Sequence, residues 1–201
     1  FADTLVQLIN KFHPEAISLL DIGCGEGWYS KRINEAYPKL DVHGLDISKT
    51  AVRQYAKSLK LASASVASAY ELPYFDAQFD LALSVFAPIS LEEIERVLKP
   101  EGLAIIAGPA PSHLQQLAEE IYQEVRAHQG AGLEFSVAPQ LTVVEQSRHT
   151  QTVRVDGQHL EDLLAMTPYY WSSSQAAQAR IKALPHLDLT LDFNITTLQR
   201  S

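Results

Sequence analysis

The sequence predicts a doubly wound α/β fold with a seven-stranded, mostly parallel sheet. Short apolar runs typical of buried strands alternate with amphipathic runs typical of helices, as in repeated strand–helix–strand units. The first of these strands ends in a glycine-rich segment that opens a helix. At 201 residues, with no repeat and no low-complexity linker, the chain has the length of one ordinary domain. We therefore expect a single domain over residues 1–201.

Five strands in the first half of the chain are expected to pair in parallel. They are predicted over residues 17–22, 40–46, 63–67, 79–85 and 102–108. Amphipathic stretches fill the connections between them, and helices are predicted over residues 28–36, 48–60 and 90–98. The sequence KPEG at 99–102 predicts a turn into the fifth strand.

The second half of the chain is less regular. Proline favours the first turn of a helix, so Pro111 supports a helix in the segment that follows it. The predicted elements are a helix over 112–128, a strand with an internal break over 141–155, a helix over 158–165, an aromatic turn over 167–171 and a strand over 187–198. Two late strands after five parallel ones would give an antiparallel hairpin at one edge of the sheet.

The composition is that of a globular protein, with 46% hydrophobic and 20% charged residues. No apolar stretch approaches the roughly 20 residues that cross a bilayer, and no signal peptide is evident, so we expect no membrane partner. Cys24 is the one cysteine, which excludes an internal disulfide and favours a cytoplasmic location. Because the chain begins at Phe1 rather than at methionine, we expect a processed protein or a piece of a longer one.

The formal net charge of −8 bears on whether the chain can bind nucleic acids. Nucleic-acid-binding proteins normally carry a basic stripe, because most of their affinity comes from neutralised phosphates. Here Lys and Arg are scattered, and the tightest cluster is the pair Lys31 and Arg32. The charge therefore argues against this chain binding RNA or DNA by itself. The possibility that a further module holds a nucleic-acid substrate stays open.

The segment LLDIGCGEG at 19–27 is the strongest indication of a ligand site. A buried strand runs into a glycine-rich turn at its carboxyl end, which is where open α/β sheets bind ligands. Gly23, Gly25 and Gly27 let the backbone turn tightly and let a ligand approach it. The dinucleotide fingerprint needs a glycine where Trp28 stands, so a bound pyrophosphate is the weaker interpretation. The alternative is a tight turn without any ligand.

A carboxylate ends the second predicted strand, at Asp46 in the sequence VHGLD. At this position in a doubly wound sheet, a carboxylate faces the ligand crevice and accepts hydrogen bonds from both hydroxyls of a ribose. The alternative is that Asp46 caps the helix predicted from Ser48. Together with the glycine-rich turn, the sequence favours ribose binding.

These segments, with LPY at 72–74, FD at 79–80 and VLKPEG at 97–102, resemble the class I S-adenosylmethionine-dependent methyltransferases. The resemblance implies a Rossmann-like fold and S-adenosyl-L-methionine as cofactor. It places the methionine part over residues 23–27, the ribose on Asp46, and the adenine against the segment after the third strand. The residues expected to contact the cofactor are Asp21, Gly23, Gly25, Glu26, Gly27, Asp46, Ile47, Ser68, Ala69 and His113.

A narrower resemblance covers nearly the whole chain. The sequences AP at 87–88, GPAPSHL at 108–114, MTPYYW at 166–171 and DFNI at 192–195 are similar to those of the bacterial 23S ribosomal RNA guanine-N1 methyltransferases. The resemblance implies 23S ribosomal RNA as substrate, a zinc module upstream of this chain that helps to hold it, and contacts of Gly25, Glu26 and His113 with the cofactor. A homodimer and the absence of a metal from this chain are further expectations.

No residue stands out in the sequence as the general base. His113, Glu71 and a water molecule are the alternatives. Trp171 and its aromatic neighbours would either stack on a nucleobase or pack as a lid. Methylation at C5 of a pyrimidine is disfavoured, because it needs a cysteine nucleophile and the one cysteine lies in the glycine-rich turn. Methylation of an exocyclic adenine nitrogen is also disfavoured, because the sequence SVFAP at 84–88 is not an Asp/Asn-Pro-Pro-aromatic turn. A small-molecule methyltransferase and a non-catalytic binding protein with the same fold are the rival functions.

Overall fold

The structure, a computed structural model, describes residues 1–60, 62–122, 135–167 and 169–201. Its strands are β1 (Ser18–Ile22), β2 (Asp41–Asp46), β3 (Ser63–Val66), β4 (Phe79–Val85), β5 (Leu98–Pro109), β6 (Leu141–Asp156) and β7 (His186–Arg200). Its α-helices are α1 (Ala2–Phe12), α2 (Trp28–Ala36), α3 (Lys49–Ser58), α4 (Leu91–Val97), α5 (Gln115–Ile121), α6 (Gly157–Ala165), α7 (Tyr169–Ser172) and α8 (Gln175–Ala183). A 3-10 helix spans Phe135–Val137.

The predicted seven-stranded, doubly wound sheet is confirmed. The strand order is β3-β2-β1-β4-β5-β7-β6. β1 pairs in parallel with both β2 and β4, β2 pairs in parallel with β3, and β4 with β5. Because these five strands are parallel, their carboxyl ends meet at one edge of the sheet. The chain order reverses between β1 and β4, which leaves a crevice at that edge.

Consecutive residues of a strand point to opposite faces of the sheet, and both faces are apolar here. Helices therefore cover both faces. Leu19 packs into a cluster that includes residues of α1, α2 and α3, such as Ile9, Ile33 and Tyr55. Its neighbour Leu20 packs into a different cluster that includes residues of α4. β1 and β4 are buried along their whole length, as expected for central parallel strands.

Serine caps set the starts of two predicted helices. The Ser48 hydroxyl accepts a hydrogen bond from the Ala51 N–H at the start of α3, and the Ser90 hydroxyl accepts one from the Glu93 N–H at the start of α4. Such caps satisfy amide groups that have no partner within the helix. The predicted bounds of α2 are confirmed, and those of α3 and α4 differ by one or two residues.

The predicted turn at 99–102 is wrong, since these residues lie within β5. Glu101 has a left-handed φ of 64°, and the pairing of β4 with β5 shifts register between Phe79 and Leu81. The sequence KPEG therefore makes an irregularity inside a strand rather than a turn before it.

The predicted helix over 112–128 begins too early. Its first amides bond to β7 instead, with the Ser112 N–H donating to the Asp192 carboxylate and the Leu114 N–H donating to the Thr190 carbonyl. Leu114 has a left-handed φ of 52°, so α5 starts only at Gln115. Residues 123–128 of this prediction lie outside the described residues.

The predicted break inside the strand over 141–155 is wrong, because β6 is continuous. Polar residues in its middle have partners on β7: Arg148 pairs with Asp192, and Arg154 pairs with Asp188. These cross-strand pairs suit a regular strand. At 167–171, where a turn is predicted, the structure has the short helix α7, and Pro168 lies outside the described residues.

Besides α7, two more helices are absent from the prediction. In α1, Leu5, Leu8 and Ile9 recur at helical spacing and are buried, which is a signal that the sequence carried. In α8 the apolar pattern is weaker, and the Ser174 hydroxyl caps the helix by accepting a bond from the Ala177 N–H.

The described residues form two compact units. The first consists of 1–60, 62–108, 135–147 and 195–201, and the second of 109–122, 148–167 and 169–194. The second unit has its own core, which includes Leu117, Leu160, Leu164, Ile181 and Leu189. A single domain over 1–201 stays a prediction. Among the described helices, none has the length and apolar character needed to cross a membrane.

Candidate functional site

A cleft of about 240 Å³ lies in the first unit, where β1, β2, β3 and β4 end. Its lining comes from the last residues of these strands and from the segments that follow them: Gly23, Leu45, Asp46, Ile47, Ala67, Ser68, Ala69, Tyr70, Phe86, Ala87 and Pro88. This is the edge at which the reversal of strand order predicts a ligand. The cleft therefore brings together five of the predicted site residues: Gly23, Asp46, Ile47, Ser68 and Ala69.

The glycine-rich turn after β1 is held close to its neighbours. The Gly23 and Cys24 N–H groups both donate to the Leu45 carbonyl, at 2.7 and 2.9 Å. A Cβ on Gly23 would lie 2.2 Å from the Cβ of Ala87, so the loop after β4 packs directly on this glycine. Gly25 has a left-handed φ of 54°, and a Cβ there would meet no atom within 4 Å. Gly25 thus borders open space that a ligand can occupy.

The Asp46 carboxylate is fixed by two backbone donors. Its Oδ2 accepts from the Gly25 N–H at 3.0 Å, and its Oδ1 accepts from the Ser48 N–H at 2.8 Å. A carboxylate has about four acceptor positions, so each oxygen retains one for a ligand. The side chain is half-buried and lines the cleft. Two spare acceptor positions on one oriented group suit a pair of neighbouring hydroxyls.

The segment after β3 forms a small, mostly apolar wall. The Ser68 hydroxyl oxygen accepts a bond from the Tyr70 N–H at 3.2 Å, which leaves the hydroxyl hydrogen able to donate to a ligand. Ala67 and Ala69 are partly buried beside it, and Ile47 from the segment after β2 is 80% exposed. An apolar wall with one hydroxyl group suits the face and edge of a flat heterocycle.

The profile of a family described as a methyltransferase domain matches residues 13–165. The chain belongs to this methyltransferase family. The matched residues begin before β1 and end with α6, so they include every strand and loop that lines the cleft.

The relatives of this methyltransferase include proteins named as ribosomal RNA methyltransferases and proteins named as methyltransferases of other substrates. A 23S rRNA (guanine(748)-N(1))-methyltransferase from Streptomyces fradiae is 35% identical over 182 residues, which is 89% of this chain and 65% of the relative. A putative 23S rRNA (guanine-N(1)-)-methyltransferase from Bacillus subtilis is 29% identical over 96% of this chain and 71% of its own length. A malonyl-[acyl-carrier protein] O-methyltransferase from Halorhodospira halophila is 30% identical over 65% of this chain and 48% of its own length.

The Streptomyces relative is the longer protein, since this methyltransferase spans 65% of its length. Among solved structures, the YcgJ protein from Bacillus subtilis has a TM-score of 0.63, with 18% identity and full coverage of both chains. At that identity the likeness shows the fold alone. The predicted resemblance to the methyltransferase family is therefore confirmed by the sequence matches.

A second carboxylate of this methyltransferase lies beneath the turn, at Asp21. It is 2% exposed, and its Oδ2 accepts a bond from the Ser30 hydroxyl at 2.6 Å. The Tyr55 hydroxyl in turn donates to the Ser30 hydroxyl oxygen at 3.0 Å. Burial raises the pKa of Asp21 to about 6, and the nearby negative charge of Asp46 adds to the shift. Asp21 is not among the cleft-lining residues, and its predicted contact with the cofactor stays a prediction.

The other predicted site residues are not among the residues that line the cleft. Glu26 is exposed, and its carbonyl accepts a bond from the Ser58 hydroxyl. Gly27 directly precedes α2. Glu71 is exposed and is not among the lining residues. His113 belongs to the second unit, where its Nδ1 accepts a bond from the Asp192 N–H at 3.2 Å. Their roles stay predictions.

Two cleft-lining aromatic residues, Tyr70 and Phe86, are missing from the sequence-based prediction. Both follow strands that end at the ligand edge, which is a signal that the strand predictions already contained. Cys24 is buried in the turn, and its burial raises the pKa of its thiol, so it packs there as a neutral group. Among the described residues, no group of His, Cys, Asp and Glu side chains is arranged to hold a metal ion.

Proposed function

We propose that this methyltransferase uses S-adenosyl-L-methionine to methylate N1 of a guanosine in 23S ribosomal RNA, in the cytoplasm. The observation that carries the choice of substrate is the 35% identity to the Streptomyces relative over 89% of this chain. That similarity extends well beyond the cofactor cleft. The geometry of the cleft supports S-adenosyl-L-methionine as the cofactor.

The residues that line the cleft fit the chemical groups of this cofactor. Asp46 has two spare acceptor positions for the ribose hydroxyls. Ser68 and the apolar wall beside it suit the adenine edge and face. The open space at Gly25 gives the methionine part room against the backbone. Gly23, Ile47 and Ala69 complete the walls.

S-adenosylmethionine, when bound, supplies an electrophilic methyl group on a sulfonium. The N1 lone pair forms the new N–C bond as the C–S electron pair goes to sulfur, and the N1 proton must leave. Among the described residues that line the cleft, Asp46 is the one carboxylate, and in this proposal it is occupied by the ribose hydroxyls. We therefore propose that water accepts the proton, and that the chain contributes orientation and exclusion of bulk solvent.

Binding of the RNA is proposed to need more than this chain. The net charge of −8 offers few groups to neutralise phosphates, and the chain spans 65% of the Streptomyces relative. We propose that a zinc module outside this chain supplies much of the RNA affinity. A small-molecule substrate is the second candidate, because the acidic charge and the similarity to the malonyl-[acyl-carrier protein] O-methyltransferase both favour it.

The test is methyl transfer to 23S ribosomal RNA from a strain that lacks the modification. The RNA is incubated with this chain and methyl-labelled cofactor, then digested to nucleosides for mass spectrometry. We expect labelled 1-methylguanosine at a low rate from this chain alone, and at a higher rate that falls steeply as salt rises from a chain that also carries the proposed zinc module. The same chain carrying Asp46→Ala serves as the control for cofactor dependence. Label in another nucleoside, or none even with the longer natural protein, would contradict the proposed substrate.

A further inference from the structure

The loop after β4 holds an aromatic residue in a backbone conformation that favours glycine. Phe86 has φ of 55°, and its N–H donates to the Ala107 carbonyl at 2.9 Å, which fixes this conformation against β5. In the left-handed region, a residue with a Cβ is disfavoured relative to glycine. A glycine at this position would satisfy the backbone better, so the phenyl ring itself needs an explanation.

The ring of Phe86 is not part of the buried core. Among the described non-glycine residues with positive φ, Leu114 is buried, Ala77 has a minimal side chain, and Glu101 lies in the irregular part of β5. Phe86, in contrast, is 45% exposed and lines the cleft. Strained residues of this kind are typical of functional sites, where a side chain is held in place at a cost in stability.

The strand order separates the two sides of the cleft. From β3 to β4, the lining segments follow one another as 67–70, 45–47, Gly23 and 86–88. In the proposed function, adenine and ribose occupy the first two segments and the methionine part lies at the third. The side formed by 86–88 is then left for the methyl acceptor. Ala87 packs directly on Gly23, so Phe86 is next to the part of the cofactor that reacts.

We propose that the phenyl ring of Phe86 stacks on the methyl-accepting nucleobase and holds its plane in the cleft. This inference rests on the proposed function and adds a residue that selects the acceptor. Stacking on an aromatic face suits flat heterocycles and excludes water from the reacting edge. The acceptor side of the cleft thus selects for a planar aromatic base, and a flexible aliphatic acid would lose this contact.

Phe86→Gly is the informative variant, because it removes the ring and also relieves the left-handed backbone. It is therefore expected to stay folded, because relief of the left-handed backbone offsets part of the stability lost with the ring. We expect its KM for the ribosomal RNA to rise roughly 5- to 150-fold, the range for loss of one base–aromatic stack. Its dissociation constant for S-adenosylhomocysteine, measured by calorimetry, is expected to stay within about twofold, and Phe86→Tyr should restore the KM.

Phe75→Gly is the matched control, since Phe75 is 84% exposed and is not among the residues that line the cleft. It should leave both constants unchanged. An unchanged KM in Phe86→Gly would overturn the stacking role, and so would an equal weakening of S-adenosylhomocysteine binding, which would place the ring on the cofactor. If neither this chain nor a chain that also carries the proposed zinc module methylates guanosine, the proposed function is overturned, and the acceptor contact with it.

Discussion

The end of β2 and the middle of β7 each carry an aspartate, and the two carboxylates are used in opposite ways. Asp46 accepts two backbone bonds and is half-buried in the cleft. The Asp192 side chain is fully buried and accepts from Arg148, Thr150 and the Ser112 N–H. The Arg148 guanidinium, with the hydroxyl and amide donors, holds the pKa of Asp192 at about 2.

The difference separates the carboxylate that we propose binds the ribose from a structural one. Asp192 receives four donors, which fill its acceptor positions and leave none for a ligand. Asp46 receives two, both from backbone groups that fix its orientation. A sequence shows an aspartate near a strand in both cases. The number of donors around each carboxylate, which depends on tertiary contacts, distinguishes them.

The largest expected effect is on stability, from Asp192→Ala. The change leaves the Thr150 hydroxyl and the Ser112 N–H without their acceptor and removes the partner of Arg148. We expect the free energy of unfolding to fall by about 3 kcal/mol, measured by urea denaturation.

Asp188→Ala is the matched control for that loss. Asp188 also pairs with an arginine across β6 and β7, Arg154, but both groups are exposed. An exposed pair gains little over solvation by water, so a much smaller change is expected. Equal losses in the two variants would show that the donors around Asp192 do not stabilise the fold.

An effect on binding is expected from Asp46→Ala. Loss of the paired hydroxyl contacts should weaken binding of S-adenosylhomocysteine by about 2 kcal/mol, or roughly 30-fold, in calorimetry. Asp41→Ala, at the other end of β2 and exposed, is the control and should bind as the parent chain does. If Asp46→Ala bound equally well, the ribose assignment would be wrong and the contrast with Asp192 would lose its meaning.

The smallest effect is a pH dependence that originates at Asp21. Its folded pKa of about 6 lies above the ordinary value of 3.8, so between these values the folded chain binds more protons than the unfolded chain. Stability from this group is therefore present at low pH and is lost as pH rises through 6. Between pH 5 and pH 7.5 the loss amounts to roughly 1 kcal/mol.

Asp21→Asn isolates this contribution, because the amide oxygen can still accept from Ser30 while the charge is removed. Thermal unfolding of both proteins at several pH values is the measurement. The stability of the variant relative to the parent should increase from pH 5 to pH 7.5. A difference that is constant with pH would mean that Asp21 titrates in the folded chain at its ordinary pKa.

Much of the first unit is predictable from sequence. β1, β4 and α2 are local patterns of buried or amphipathic residues, and the glycine-rich turn with Asp46 identifies the ligand edge. The errors fall where distant residues decide the local structure. The start of α5 depends on bonds to β7, and the strand conformation at 99–102 depends on its pairing with β4. Sequence neighbours carry no information on these bonds.

The sequence by itself determined the alternation of strands and helices, and with it the order of the loops at the ligand edge. It also determined which residues are glycine or carboxylate at that edge. Tertiary structure alone decided that Asp21 is buried while Asp46 lines the cleft, and that Phe86 is partly exposed in the same cleft with a left-handed backbone. The physical reason is that burial, hydrogen-bond donors and backbone strain depend on which segments meet in space. That meeting is fixed by the packing of the whole sheet rather than by local preference.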